Sequence, residues 1–143
     1  MRTSAAPAVR MRTAVDTSVL LDIVLDAPTF ADRSEAALRT AAAAGALTIC
    51  ECVLAEIRPA FRPTEVEEFL SDWAIEFVPS TRESCLLAGE MFGTYLRRRR
   101  ATAGRVLPDF LIGAHALLTA DRLLARDRGY YRDYFTRLTL LTP

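Results

Sequence analysis

Short apolar runs alternate with longer helical stretches along this chain, and that alternation constrains the fold more than any other feature. Thr13–Asp16 (TAVD), Leu47–Cys50 (LTIC), Ile75–Val78, Leu123–Ala125 and Thr139–Leu141 are short β-like runs. Between them lie segments with apolar residues at helical spacing, such as Val19, Leu20, Ile23 and Val24. Strands that alternate with helices indicate an α/β domain around a mostly parallel sheet, here of about five strands. Pro28 opens an alanine-rich helix expected to stop near Gly45, and the helical segment from Cys52 is interrupted at Pro59. Thr64 with Glu67, and Ser80 with Glu83, have capping-box spacing and predict two helix starts. Pro108 and Asp109 begin a very apolar helix, DFLIGAHALL.

A length of 143 residues suits one domain. Residues 1–12 read as a flexible extension with no secretory apolar stretch, and Met11 is a candidate start site. Residues 13–143 form the expected domain. No apolar run reaches the roughly 18 residues of a membrane span. An odd number of cysteines, three, fits a reducing, cytoplasmic setting better than a disulfide framework. Formal net charge is zero, yet every basic residue is arginine. Without lysine there is no Walker-A phosphate loop. The basic charge clusters at Arg97, Arg98, Arg99, Arg100 and Arg105, with no acid between them.

Chemistry in open parallel sheets gathers at the carboxyl ends of the strands. Asp16 ends the first strand, and Asp127 follows the Leu123–Ala125 run. Asp109 occupies the first turn of its helix, where the dipole favours an anion. Glu56 lies early in the helix after the second strand, beside Leu54, Ala55 and Ile57, which are expected to be buried. Converging carboxylates repel and raise each other's pKa, a conflict that a divalent cation resolves. Hard Mg²⁺ or Mn²⁺ prefers oxygen ligands and leaves room for phosphate. An all-acid set therefore suits phosphodiester chemistry better than zinc chemistry. Helix caps are the competing reading for each acid taken alone.

Four segments in order, AVDTSVLLD (Ala14–Asp22), VLAEIRPAF (Val53–Phe61), LPDFLIGAHAL (Leu107–Leu117) and LLARDRGYY (Leu123–Tyr131), resemble the PIN-domain family and, within it, the VapC-type toxins of toxin–antitoxin pairs. The resemblance extends from Thr13 to Pro143. It implies a three-layer α/β/α fold and a Mg²⁺- or Mn²⁺-dependent endoribonuclease in which metal-activated water attacks phosphorus in line, leaving 5′-phosphate and 3′-hydroxyl ends. Position by position, it assigns Asp16 and Asp109 as metal ligands, with Glu56 and Asp127 as the second- and fourth-motif acids. Thr17 and Ser18 take the hydroxyl positions after the first acid. Ala125 departs from the Thr or Ser that members often carry two residues before the last acid, which weakens the case for Asp127. The implied partners are RNA, a small antitoxin and a second copy of the chain, with Trp73 and Phe92 as candidates for the dimer surface.

Arg97–Arg100 and Arg105, together with Arg126 and Arg128, are candidate phosphate contacts, against the alternative of a solvated helix end. His115, at about 100° per residue, points some 120° away from Asp109 and is expected to be structural. Cys50 and Cys52 are expected to be buried apolar residues, Asp22 a helix-surface acid and Asp121 a turn acid. Tyr130, Tyr131, Tyr134 and Phe135 are expected to pack on the sheet edge rather than stack on bases. A haloacid-dehalogenase phosphatase is excluded, since Ser18 stands where its second Asp belongs and its Lys is absent. The alternative from another class is a catalytically silent PIN-like module that binds RNA or protein.

Overall fold

The structure, a computed structural model, describes residues 10–99, 106–126 and 129–143; for Arg99 it describes the backbone only. Asp127, Arg128, Arg100 and Arg105 therefore lie outside the described residues. Five parallel strands, β1 (Met11–Val15), β2 (Gly45–Ile49), β3 (Ile75–Phe77), β4 (Arg122–Leu124) and β5 (Leu140–Leu141), form one sheet in the order β3-β2-β1-β4-β5. Helices α1 (Thr17–Val24), α2 (Ala31–Ala44), α3 (Glu51–Ile57), α4 (Glu65–Asp72), α5 (Arg82–Arg99), α6 (Leu107–Thr119) and α7 (Tyr130–Tyr134) connect the strands. β1 begins at Met11, two residues before the Thr13 start expected for the first strand.

The central strand is β1, and the strand order departs from it on both sides. β1 pairs with β2 in one direction and with β4 in the other. The carboxyl end of β1 is thus a topological switch point, the place where α/β sheets bind ligands. Asp16 N–H donates to Leu124 O at 2.9 Å, joining the two strands where they diverge. Val15, Ile49, Leu123 and Leu124 are buried at this end, as expected for parallel strands covered on both faces. Phe110 on α6 is fully buried, with Phe92, Tyr95, Tyr130, Tyr134 and Phe135 around it at centroid distances of 5.3 to 6.1 Å. Burying such a ring contributes about 1.5–3 kcal/mol.

Two local expectations are corrected. The start of α5 is capped by Thr81 and Ser84, not by Ser80 and Glu83. Ser84 N–H donates to Thr81 Oγ1 at 3.0 Å, and Thr81 N–H donates to Ser84 Oγ at 2.9 Å. Serine reproduces the reciprocal box because its hydroxyl both donates and accepts. At α4 the Thr64 side chain makes no cap bond, and Glu65 instead accepts from Arg62 N–H at 3.3 Å. Gly45 does end α2, but in an extended conformation that starts β2 directly. A Cβ there would lie 2.0 Å from Met11 O.

Candidate metal and phosphodiester site

Asp16 leaves β1 and becomes the N-cap of α1, accepting from Ser18 N–H at 3.1 Å through Oδ2. The same oxygen accepts from Ser18 Oγ at 2.5 Å. Its other oxygen, Oδ1, accepts from the Tyr131 hydroxyl at 2.6 Å. Capping and acid chemistry therefore coexist in this side chain, which is 6% exposed. Thr17, the first residue of α1, donates its hydroxyl to Glu56 Oε1 at 2.7 Å and ties α3 to α1. Glu56 itself is exposed and Ala55 is exposed; of its three expected buried neighbours only Ile57 is fully so. The acid points outward because α3 has just two buried positions, Val53 and Ile57, which turn the Glu56 face away from the core.

Asp109 in the first turn of α6 completes the group. Asp16, Thr17, Ser18, Glu56, Asp109, Arg126, Tyr130 and Tyr131 line one cleft of about 260 Å³ at the switch point. Sequence reasoning placed Asp16, Glu56, Asp109, Thr17 and Ser18 in the site, and the fold brings all five together. The two hydroxyls hold carboxylates, Thr17 on Glu56 and Ser18 on Asp16.

Tyr131 is the residue that sequence reasoning missed. It is 3% exposed, and its hydroxyl is pushed well above the usual tyrosine range. Burial is the largest cause, followed by the charges of Asp16 and Asp109, its bond to Asp16, and the charge of Glu56. The hydroxyl therefore stays protonated and is a fixed donor to Asp16. Spacing in GYYRDYF reveals an aromatic face but not that one ring carries its oxygen to the first acid.

The donor set is oxygen throughout, with carboxylates from three elements, and it fits a hard divalent ion. These carboxylates are less tightly gathered than another group. Among the described residues, only Cys50, Glu51 and Cys52 bring three potential ligand atoms within 4.8 Å of one another. That group mixes sulfur with oxygen and suits a softer ion. The looser acid set suits Mg²⁺ or Mn²⁺, which retain several waters between themselves and the protein. Cys50 is buried, Cys52 half-buried and Cys85 exposed. The Cys52 hydrogen bond holds the Cys50 thiol below its ordinary range.

Other side chains stand apart from the acids. His115 is 1% exposed, and its Nε2–H donates to Val78 O at 2.7 Å, a structural role. Asp22, expected on a helix surface, is instead 3% exposed and accepts from Arg126 with both oxygens, at 2.9 and 2.8 Å. Asp121 is an exposed turn acid that accepts from Arg12 N–H. Arg97 bonds Thr94, and Arg98 lies over the Tyr134 ring at 5.3 Å, next to the helix that carries Tyr130 and Tyr131. Trp73 is half-buried under the Arg39 guanidinium, and Phe92 belongs to the ring cluster around Phe110.

The family model described as the PIN domain matches residues 13–135. No curated protein matches the chain at a significant level. Solved structures share the fold at low identity. One is VapBC2 from Rickettsia felis, bound to a DNA fragment from their promoter; it is 22% identical with a TM-score of 0.67, and the match covers 92% of this chain and 98% of that one. VapBC-1 from nontypeable Haemophilus influenzae is 16% identical with a TM-score of 0.64, over 92% and 98% of the two chains. FitAcB from Neisseria gonorrhoeae is 14% identical with a TM-score of 0.60, over 90% and 96%.

Proposed function

This chain belongs to the PIN-domain family, and from that premise we propose that it is a Mg²⁺- or Mn²⁺-dependent endoribonuclease, the toxin of a VapBC-type toxin–antitoxin pair. The observation that carries the reading is the meeting of Asp16, Glu56 and Asp109 in one cleft at the switch point of the sheet. Asp127, which follows Arg126 in sequence, is proposed as the fourth acid. The names of the structural neighbours support an antitoxin as partner.

In this reading Asp16 and Asp109, with Glu56 and Asp127, would hold the cation and would orient the water for in-line attack. Bound metal supplies the lowered water pKa and the charge that steadies the oxygens of the displacement. Thr17 and Tyr131 keep the carboxylates aimed. Arg98, which lies over Tyr134 of α7, with Arg97, Arg99, Arg100, Arg105 and Arg128, offsets the repulsion between an acidic cleft and a polyanion.

Incubating the purified chain with structured RNAs, with and without Mg²⁺ or Mn²⁺, tests the reading. Cutting is expected only with metal, leaving 5′-phosphate ends. Asp16→Asn and Asp109→Asn are each expected to lower the rate by about 10²-fold or more, the scale of losing a group that stabilises transition-state charge. RNA left whole under every condition would make the chain a binding module and end the enzyme reading.

A further inference from the structure

A chain of polar contacts runs from α2 to the first acid, and the proposed reaction does not use it. Ser34 Oγ donates to Asp22 Oδ2 at 2.7 Å, and Asp22 accepts from Arg126 Nε and Nη2. The Arg126 guanidinium also lies over the Phe30 ring, 4.1 Å from its centroid. From the same residue, Arg126 N–H donates to Ser18 Oγ at 3.1 Å, and Ser18 Oγ donates to Asp16 Oδ2. The geometry assigns Asp22 and Arg126 as positioning residues for the carboxylate cleft, a role that rests on the metal-nuclease reading.

The physical case begins with a cost. Asp22 is 3% exposed, and a carboxylate leaves water only when it is paired and hydrogen-bonded. Two guanidinium bonds and one hydroxyl meet that condition, and the planar fork fixes Arg126 in direction as well as distance. Phe30 closes one face of the fork. Arg126 is thus held at two points, its guanidinium on Asp22 and its N–H on Ser18 Oγ, and loss of the first is expected to loosen the second. That hydroxyl has one hydrogen, and accepting from Arg126 leaves the hydrogen for Asp16.

Asp16 is thereby oriented from both sides, by Ser18 on Oδ2 and by Tyr131 on Oδ1. Arg126 lines the cleft, and its guanidinium is paired with Asp22. A phosphate contact would show chiefly in KM and salt dependence, whereas a positioning residue shows in metal affinity and kcat.

The test uses the full chain. Arg126→Met and Asp22→Asn are compared with the double variant Asp22→Leu/Arg126→Met, which replaces the pair by apolar groups and so avoids a stranded buried charge. Mn²⁺ affinity is measured by calorimetric titration well below each melting temperature, and kcat and KM are measured on the same RNA. Folded variants, the double included, are expected to bind Mn²⁺ about tenfold more weakly, with kcat reduced and KM nearly unchanged. Arg126→Lys is expected to restore only part of the affinity, since a point charge cannot reproduce the fork. If the folded double variant matches the unaltered protein in Mn²⁺ affinity and kcat, the clamp is structural only and the inference fails. A change confined to KM and salt dependence would overturn it in favour of a phosphate contact. An unaltered chain that neither binds Mn²⁺ nor cuts RNA would overturn the nuclease reading, and this inference with it.

Discussion

Asp16 serves as strand end, helix cap and site acid at once, and each role follows from its position after β1. A carboxylate in that place accepts the Ser18 N–H as any N-cap does, and its second oxygen is still available to Tyr131. Residues of this kind are partly legible in sequence. An acid at the end of the first strand, hydroxyls after it and another acid in the first turn of an apolar helix are all visible one position at a time. Tyr131 was not legible, because its contribution is a single oxygen whose direction depends on how α7 packs against α6. Tyr131→Phe keeps the ring and removes that oxygen. The lost buried hydrogen bond to a charged group is worth about 1.5–3 kcal/mol, so the melting temperature is expected to fall. Groups that orient metal ligands are typically worth about 10–100-fold in affinity, so Mn²⁺ affinity is expected to fall about tenfold or more. Calorimetric titration checks this; unchanged affinity would show that Ser18 alone orients Asp16.

Elements were easier to foresee than their ends. All five strands were visible as short runs rich in apolar residues, since the carboxyl ends of β1, β2 and β4 are buried, although β3 exposes Glu76 and Phe77. The capping boxes were harder, since Ser80, Thr81 and Ser84 all offer hydroxyls and only the folded turn selects among them. Ser80 N–H is taken by Glu51 at 2.7 Å, which moves the box to Thr81 and Ser84. Thr81→Ala is accordingly expected to cost about 1 kcal/mol, and Ser80→Ala far less. Urea unfolding of the two variants separates them, and an equal cost at both positions would contradict the assignment. Asp22 was misread for a related reason. Helical spacing places it on α1, but its burial comes from α2 and from Arg126, more than a hundred residues away.

For the molecule as a whole, His115 links stability to pH. Burial pushes its pKa below the ordinary histidine value, only partly offset by the Val78 bond and the charge of Glu51. The folded protein therefore holds the ring neutral, while the unfolded chain binds a proton near pH 6.5. The stability from this group is present above about pH 6.5 and is lost as pH falls through the lower folded value. His115→Gln is expected to flatten the fall in melting temperature between about pH 7.5 and 5, measured as the difference from the unaltered protein. Identical slopes would mean that the acid limb belongs to the carboxylates. The architecture was legible from alternation alone; the pairing of distant polar groups was not, because local pattern carries no record of it. One feature of that architecture also bears on synthesis. The first acid, at the end of the central strand, is made before the strand beside it and before the groups that orient it, Arg126 and Tyr131, which lie more than a hundred residues further along the chain. A nascent chain has Asp16 long before it has a cleft. An enzyme that cuts RNA would thus lack its oriented first acid until Tyr131 has been made, and a fragment that stops short of that residue would have no cleft.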